Sequence, residues 1–196
     1  MLTQLRRTFQ PLFTRIARAL LRAGFTPNLL TVLSVPLAAT AAFTYTLPWT
    51  LSYYPLLTAI LILLAGLCDA LDGALARVSG KVTPLGGFVD SLTDRIVELL
   101  LFLGIILGGK ADPVPTLLAL ALSLLVSYAR CRGEASGISM EGVGVGERAE
   151  RILLLAVATL GYYLTPNALT IGCWLIAILA AITVAQRIAH VIRHSP

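Results

Sequence analysis

Along the first 22 residues the apolar positions Leu2, Leu5, Phe9, Leu12, Phe13, Ile16, Leu20 and Leu21 recur at helical spacing, with Arg6, Arg7, Arg15, Arg18 and Arg22 largely between them. A stripe of one kind and a face of the other predict an amphipathic helix lying on a membrane surface. Gly24 ends it, and Thr26-Pro27-Asn28 supplies a turn and the start of the next helix. Beyond that point the pattern changes from periodic to continuous. Six apolar runs, over 29–48, 53–72, 87–108, 113–132, 149–165 and 168–189, each approach the ~20 residues that a bilayer core requires. Pro48, Gly109, Pro113 and Pro166 punctuate the intervals, and no interval is long enough to be a linker between domains. The expected fold is an all-α integral membrane protein of one domain, 1–196, with an interfacial helix over 1–23 and a six-helix transmembrane core over 26–189.

Composition agrees with a bilayer protein: 57% of residues are hydrophobic, 13% are charged, and the mean hydropathy is +0.86. The formal charge of +5 comes mostly from arginines in the N-terminal arm and after residue 129. These arginines flank apolar spans and do not form a soluble basic domain, which argues against nucleic acid and for anionic lipid headgroups. Arginines fall at the N-terminal arm, near Arg77, between Arg130 and Arg151, and at Arg187 and Arg193, while the opposite loops offer Lys110. The positive-inside bias then puts both termini and the 69–94 stretch on the cytoplasmic side of the cell membrane. Cys68, Cys131 and Cys173 lack CxxC spacing and read as packing residues.

Four of the ten acidic residues, Asp69, Asp72, Asp90 and Asp94, fall in 69–94, where the flanking runs predict membrane-embedded helix. Asp69 and Asp72 are three apart and Asp90 and Asp94 four apart, so each pair projects from one helix face. Two facing helices would bring the carboxylates together, and in a low dielectric they would repel one another unless cations neutralised them. Hard oxygen donors favour Mg2+, Mn2+ or Ca2+ over zinc. Gly73, Ala76 and Gly86 keep bulk away from the approach. Arg77, one turn beyond Gly73, could fork onto phosphate oxygens held by such metals.

A second stretch, Ser127 to Leu155, sets Arg130, Arg132, Arg148 and Arg151 around a glycine-rich loop, with Glu134, Glu147 and Glu150 interleaved. Two readings stand side by side. The arginines obey the positive-inside bias and pair with the glutamates, or they form a pocket for a substrate phosphate.

Asp69, Asp72, Gly73, Ala76, Arg77, Gly86, Asp90 and Asp94 together reproduce D-x2-D-G-x2-A-R-x8-G-x3-D-x3-D, and on that pattern the chain resembles the CDP-alcohol phosphotransferase family. The stretch S-Y-x-[RK]-x-R-x-E followed by G-x-x-E-R-x-E-R, with Gln186-Arg187 in the last span, looks like the family's inositol-phosphate branch, the phosphatidylinositol phosphate and archaetidylinositol phosphate synthases. The resemblance implies a homodimeric membrane enzyme that moves a lipid phosphate from CDP-archaeol or CDP-diacylglycerol to inositol 1-phosphate and releases CMP, using two Mg2+ or Mn2+ ions. It implies that Asp69, Asp72, Asp90 and Asp94 hold the metals and that Asp94 is also the general base. Asn28, Leu29, Leu30, Thr31, Asp69, Gly73, Arg77 and Thr83 would bind the CDP-lipid, and Arg130, Arg132, Arg148, Arg151 and Arg187 the acceptor's phosphate.

Two ions would clamp the pyrophosphate while Asp94 takes the acceptor's proton. Single in-line displacement is the simplest course, with a covalent aspartyl-phosphate as the alternative. A phosphatidylglycerophosphate-type synthase using glycerol 3-phosphate is the rival within the family. A membrane cation transporter, or a structural role for the carboxylates as ion pairs with Arg77 and Arg95, is the rival outside it.

Overall fold

A computed structural model describes residues 2–194, with side chains from Gln10 onward. Among these residues there are seven helices and no strand, in two compact units, Met1–Gly104 and Ile105–Pro196.

The first unit holds α1 (Leu2–Arg22), α2 (Pro27–Thr46), α3 (Tyr54–Ser79) and most of α4 (Pro84–Leu107). Helix α2 starts where its chemistry requires: Thr26 Oγ1 accepts from the Leu29 N–H at 3.3 Å, and Pro27, which has no N–H to leave unpaired, occupies the first turn. Helices α2 and α3 pack together. Both bury small residues, Ala38 and Ala41 on one and Ala59 and Ala65 on the other, which permits a close approach of backbones. Thr44 and Thr58 join across it through a 2.7 Å hydroxyl hydrogen bond. Helix α3 runs past the expected end at 72 and stops at Gly80, whose φ of 66° gives the left-handed turn that closes a helix. Asp69 and Asp72 therefore sit on continuous helix.

Helix α1 is where expected but only part of its apolar side is open. Phe13, Ile16, Ala17 and Leu20 pack against Leu30 of α2 and Leu71, Ala74 and Leu75 of α3. Helix α3 thus presents its own apolar side chains to α1, while Leu12, Leu21, Arg15, Arg18 and Arg22 face outward. The side chains of Leu2, Leu5, Arg6, Arg7 and Phe9 lie outside the described residues.

The second unit holds α5 (Pro113–Ala135), α6 (Arg148–Gly161) and α7 (Ala168–His194), with α7 packed on both others. A Cβ on Gly172 would collide with that of Ala158, so α6 and α7 meet at that glycine. Helix α6 opens with a reciprocal capping box, in which Glu147 accepts from the Glu150 N–H and the Glu150 side chain accepts from the Glu147 N–H at 3.0 Å. It ends at Gly161, short of the expected 165, in the turn that precedes Pro166. Cys173 is buried as expected, whereas Cys131 is exposed.

Among the described residues four helices, α2, α3, α5 and α7, are long and apolar enough to cross a membrane. The other two expected spans differ for physical reasons. Helix α4 carries Asp90, Asp94, Arg95 and Glu98. Helix α6 has 14 residues, about 21 Å at helical rise, against a hydrocarbon core of about 30 Å.

Candidate active site

In the first unit, α3 contributes Asp69 and Asp72 and α4 contributes Asp90. One carboxylate oxygen from each lies within 4.8 Å of the other two. Asp72 is buried and its neighbours are half-buried. Three converging, partly desolvated carboxylates cost free energy through mutual repulsion, and a divalent cation removes that cost. The donor set is all oxygen, which suits Mg2+ or Mn2+, and the residues present fit such an ion. The order of the cluster is reinforced from α2: the Thr31 hydroxyl donates to Asp72 Oδ2 at 2.5 Å, fixing that carboxylate's orientation.

The cluster borders an open cavity of about 320 Å³ lined by Asn28 and Thr31 of α2, Asp72, Gly73 and Arg77 of α3, and Thr83, Gly86 and Asp90 of the next segment. Small residues shape it. A Cβ on Gly73 would stand 3.5 Å from Arg77 Nη1, so the guanidinium lies over the glycine, one helical turn on. Thr83 Oγ1 accepts from the Gly86 N–H at 3.0 Å and so caps α4. A Cβ on Gly86 would sit 3.0 Å from that oxygen and 3.9 Å from Asn28 Oδ1, which leaves glycine to keep the mouth open between α2 and α4. Of the residues expected to bind a CDP-lipid, Asn28, Thr31, Gly73, Arg77 and Thr83 line this cavity. Asp69, Leu29 and Leu30 do not: Asp69 belongs to the carboxylate cluster, Leu29 is exposed, and Leu30 is buried in the cluster with Leu71 and Leu75.

Asp94 is not one of the three. Its Oδ2 lies 3.4 Å from Arg95 Nη1, and Arg95 Nη1 also donates to the Ser91 carbonyl at 2.7 Å. No ion pair joins Asp72 to Arg77 among the described residues; the hydroxyl of Thr31 takes that place.

In the second unit the five arginines expected to hold the acceptor's phosphate divide by burial. Arg151 and Arg187 are buried, Arg148 is half-buried, and Arg130 and Arg132 are exposed. Arg187 donates through Nε to the Val143 carbonyl at 3.0 Å and through Nη1 to the Val126 carbonyl. Arg151 Nη1 donates to the Gly146 carbonyl at 2.7 Å. Arg130 meets Glu134 one turn on at 2.9 Å. Of the glutamates in this stretch, Glu134 pairs with an arginine as the first reading expected, while Glu147 and Glu150 cap a helix.

Sequence reasoning did not find the partners that orient these groups. Thr31 was legible as a polar residue in the first turn of α2, but its link to Asp72, 41 residues away, needed the packing of α2 on α3. Thr183, which takes the amide of Gly146, carried no signal, and Gln186, which takes that of Val145, was marked only through its pairing with Arg187 in the family resemblance.

Residues 25–188 match the family model described as CDP-alcohol phosphatidyltransferase. The chain is 38% identical over 188 residues to the archaetidylinositol phosphate synthase of Pyrococcus horikoshii, covering 96% of this chain and 95% of that protein. It is 33% identical over 209 residues to the phosphatidylinositol phosphate synthase of Mycobacterium tuberculosis, covering 97% and 90%. The crystal structure of the M. tuberculosis enzyme with CDP-DAG bound matches at a TM-score of 0.72 and 32% identity over 91% of this chain and 92% of that one. The same enzyme in complex with manganese and citrate matches at 0.76 and 31% identity over 92% and 88%.

Proposed function

The chain belongs to the CDP-alcohol phosphatidyltransferase family, and on that premise we propose that it transfers a phosphatidyl or archaetidyl group from a CDP-linked lipid to inositol 1-phosphate, releasing CMP. The observation that carries this reading is the convergence of Asp69, Asp72 and Asp90, of which Asp72 and Asp90 line a cavity that also holds Arg77. The relatives named for inositol phosphate lipids supply the acceptor class, and the relative named with CDP-DAG the donor class.

Asp69, Asp72 and Asp90 hold the divalent metal, with Asp94 as a further ligand. Two Mg2+ or Mn2+ ions, when bound, neutralise the pyrophosphate and the departing CMP. Gly73 leaves room for the nucleotide, Arg77 forks onto its phosphates, and Asn28, Thr31, Thr83 and the backbone at Leu29 and Leu30 contact the CDP end. Asp94 takes the proton from the acceptor hydroxyl as its oxygen attacks the β-phosphorus. The oxygen–phosphorus bond to the acceptor forms as the bond to CMP breaks, in a single displacement. Arg130, Arg132, Arg148, Arg151 and Arg187 hold the acceptor's phosphate, a role suited to guanidinium forks.

The family match runs across both compact units, which supports one functional domain over 1–196. In this reading α2 to α7 all cross the cell membrane, α1 lies along its cytoplasmic face, and two copies assemble as a homodimer. The arginine distribution supports an active site open to the cytoplasm, where cytidine nucleotides are at hand. Mass spectrometry of the lipid made from a CDP-lipid, Mn2+ and inositol 1-phosphate tests the assignment. A lipid bearing inositol phosphate is expected, and a lipid made only with glycerol 3-phosphate would overturn the acceptor.

A further inference from the structure

The segment Val143-Gly144-Val145-Gly146 lies along α7 and is fastened to it residue by residue. Thr183, buried in α7, is the central fastener. Its hydroxyl oxygen accepts from the Gly146 N–H at 2.9 Å and donates its own proton to the Leu179 carbonyl at 2.7 Å. Gln186 Oε1 takes the Val145 N–H at 3.2 Å.

The fit at Thr183 is steric as well as polar. Gly144 has a φ of 118°, and a Cβ there would run into Thr183 Cγ2. A Cβ on Gly146 would stand 3.0 Å from both Thr183 Oγ1 and the Leu179 carbonyl oxygen. Only glycine at both positions lets the backbone lie this close.

The same segment holds both buried arginines. Arg187 Nε donates to the carbonyl of Val143 and Arg151 Nη1 to the carbonyl of Gly146. A shift of this backbone moves the two carbonyls and re-aims both guanidinium groups. The link from Thr183 to each arginine is therefore one peptide segment long.

We propose that Thr183 is a positioning residue for the acceptor site: by fixing the Gly146 amide it sets the Val143–Gly146 carbonyls that orient Arg151 and Arg187 toward the acceptor's phosphate. This rests on the reading that those arginines hold that phosphate. Thr183 itself does not touch substrate. Its effect falls on acceptor binding and leaves the metal and CDP-lipid site, built from the first unit, unaltered.

The test uses the full-length protein in detergent or nanodiscs, comparing Thr183→Val, which keeps the shape and removes the hydroxyl, with Thr183→Ser, which restores it. Two readouts are taken, amide hydrogen exchange over 143–147 and the separate KM values for inositol 1-phosphate and CDP-lipid. Thr183→Val is expected to speed exchange in that segment and to raise the acceptor KM about tenfold, the scale of one net hydrogen bond, with the CDP-lipid KM changed less than about twofold. Thr183→Ser is expected to return both to the parent values. If Thr183→Val is not recovered folded, Gly146→Ala, which presses a methyl on the same hydroxyl, takes its place with the same expectation. Unchanged exchange overturns the proposal at the level of the loop. Faster exchange with an unchanged acceptor KM, or an equal loss in both substrates, overturns it at the level of the site. A parent protein that makes lipid with another acceptor and ignores inositol 1-phosphate removes the acceptor reading, and the proposal with it.

Discussion

The hydroxyl of Thr31 donates a 2.5 Å hydrogen bond to Asp72 Oδ2 from the facing helix, with both side chains buried. A carboxylate that must meet a metal in one orientation is held there by a partner that cannot itself replace the metal. Such outer partners set ligand geometry and affinity. Thr31→Val is therefore expected to weaken Mn2+ binding by about 10-fold to 100-fold, and Thr31→Ser to retain it. Titration of the purified protein with Mn2+, followed by electron paramagnetic resonance, reads this directly, and an unaltered affinity in Thr31→Val would contradict it.

Asp94 and the group of three carry different expectations. Asp72→Asn and Asp90→Asn remove two of the proposed ligands and are expected to lower both Mn2+ affinity and turnover. Asp94→Asn removes the proposed base and is expected to cut turnover by about 10²–10⁴-fold while CDP-lipid still binds. Equilibrium binding of a CDP-lipid beside single-turnover kinetics separates the two classes; normal turnover in Asp94→Asn would remove its role as base.

Burial predicts a split among the arginines. Arg187 ties two backbone carbonyls, so Arg187→Ala is expected to destabilise the fold by about 2–5 kcal/mol and to weaken acceptor use, given the worth of hydrogen bonds to charged groups. Exposed Arg132 has no such duty. Arg132→Ala is expected to leave the unfolding temperature nearly unchanged, within about 0.5 kcal/mol of stability, while raising the acceptor KM. Thermal unfolding and acceptor kinetics on the two variants check the contrast.

Close helix packing gives a prediction independent of chemistry. A Cβ on Gly104 would meet Ala42 Cα and the Ala42 carbonyl oxygen at 2.6 Å, a clash with backbone that no rotamer relieves. Gly104→Ala is expected to cost about 1–3 kcal/mol. Gly87→Ala, where a Cβ meets nothing within 4 Å, is expected to be nearly neutral or to stabilise α4 slightly. Thermal unfolding of the two side by side tests whether α2 and α4 approach as closely as described.

The sequence made the parts of the site legible and left their assembly unread. Spacing alone put Asp69 with Asp72 on one helix face, because residues three apart in a helix share a side, and the structure joins Asp90 to them. It could not show that Asp94, one turn beyond Asp90, lies beside Arg95 and outside the group of three. That distinction depends on how α4 is rotated, which a four-residue spacing does not fix. Helix α1 was legible as amphipathic, but amphipathicity does not say whether lipid or protein covers the apolar face, and α3 covers part of it. Apolar runs located every helix after α1, yet run length did not show that α6 would stop after 14 residues. Thr183 carried no signal at all, since a lone threonine in an apolar helix most often bonds its own carbonyl one turn back, as this one also does.

The most direct test of the central claim is CMP release by the reconstituted protein with Mn2+ and a CDP-lipid, measured with inositol 1-phosphate, glycerol 3-phosphate and unphosphorylated inositol in turn. Release that requires inositol 1-phosphate is the predicted result, since both the carboxylate cluster and the arginine loop then have their substrates. Absence of CMP release with every alcohol, in protein that still binds Mn2+, would contradict it and leave the aspartates as a cation site without transferase chemistry.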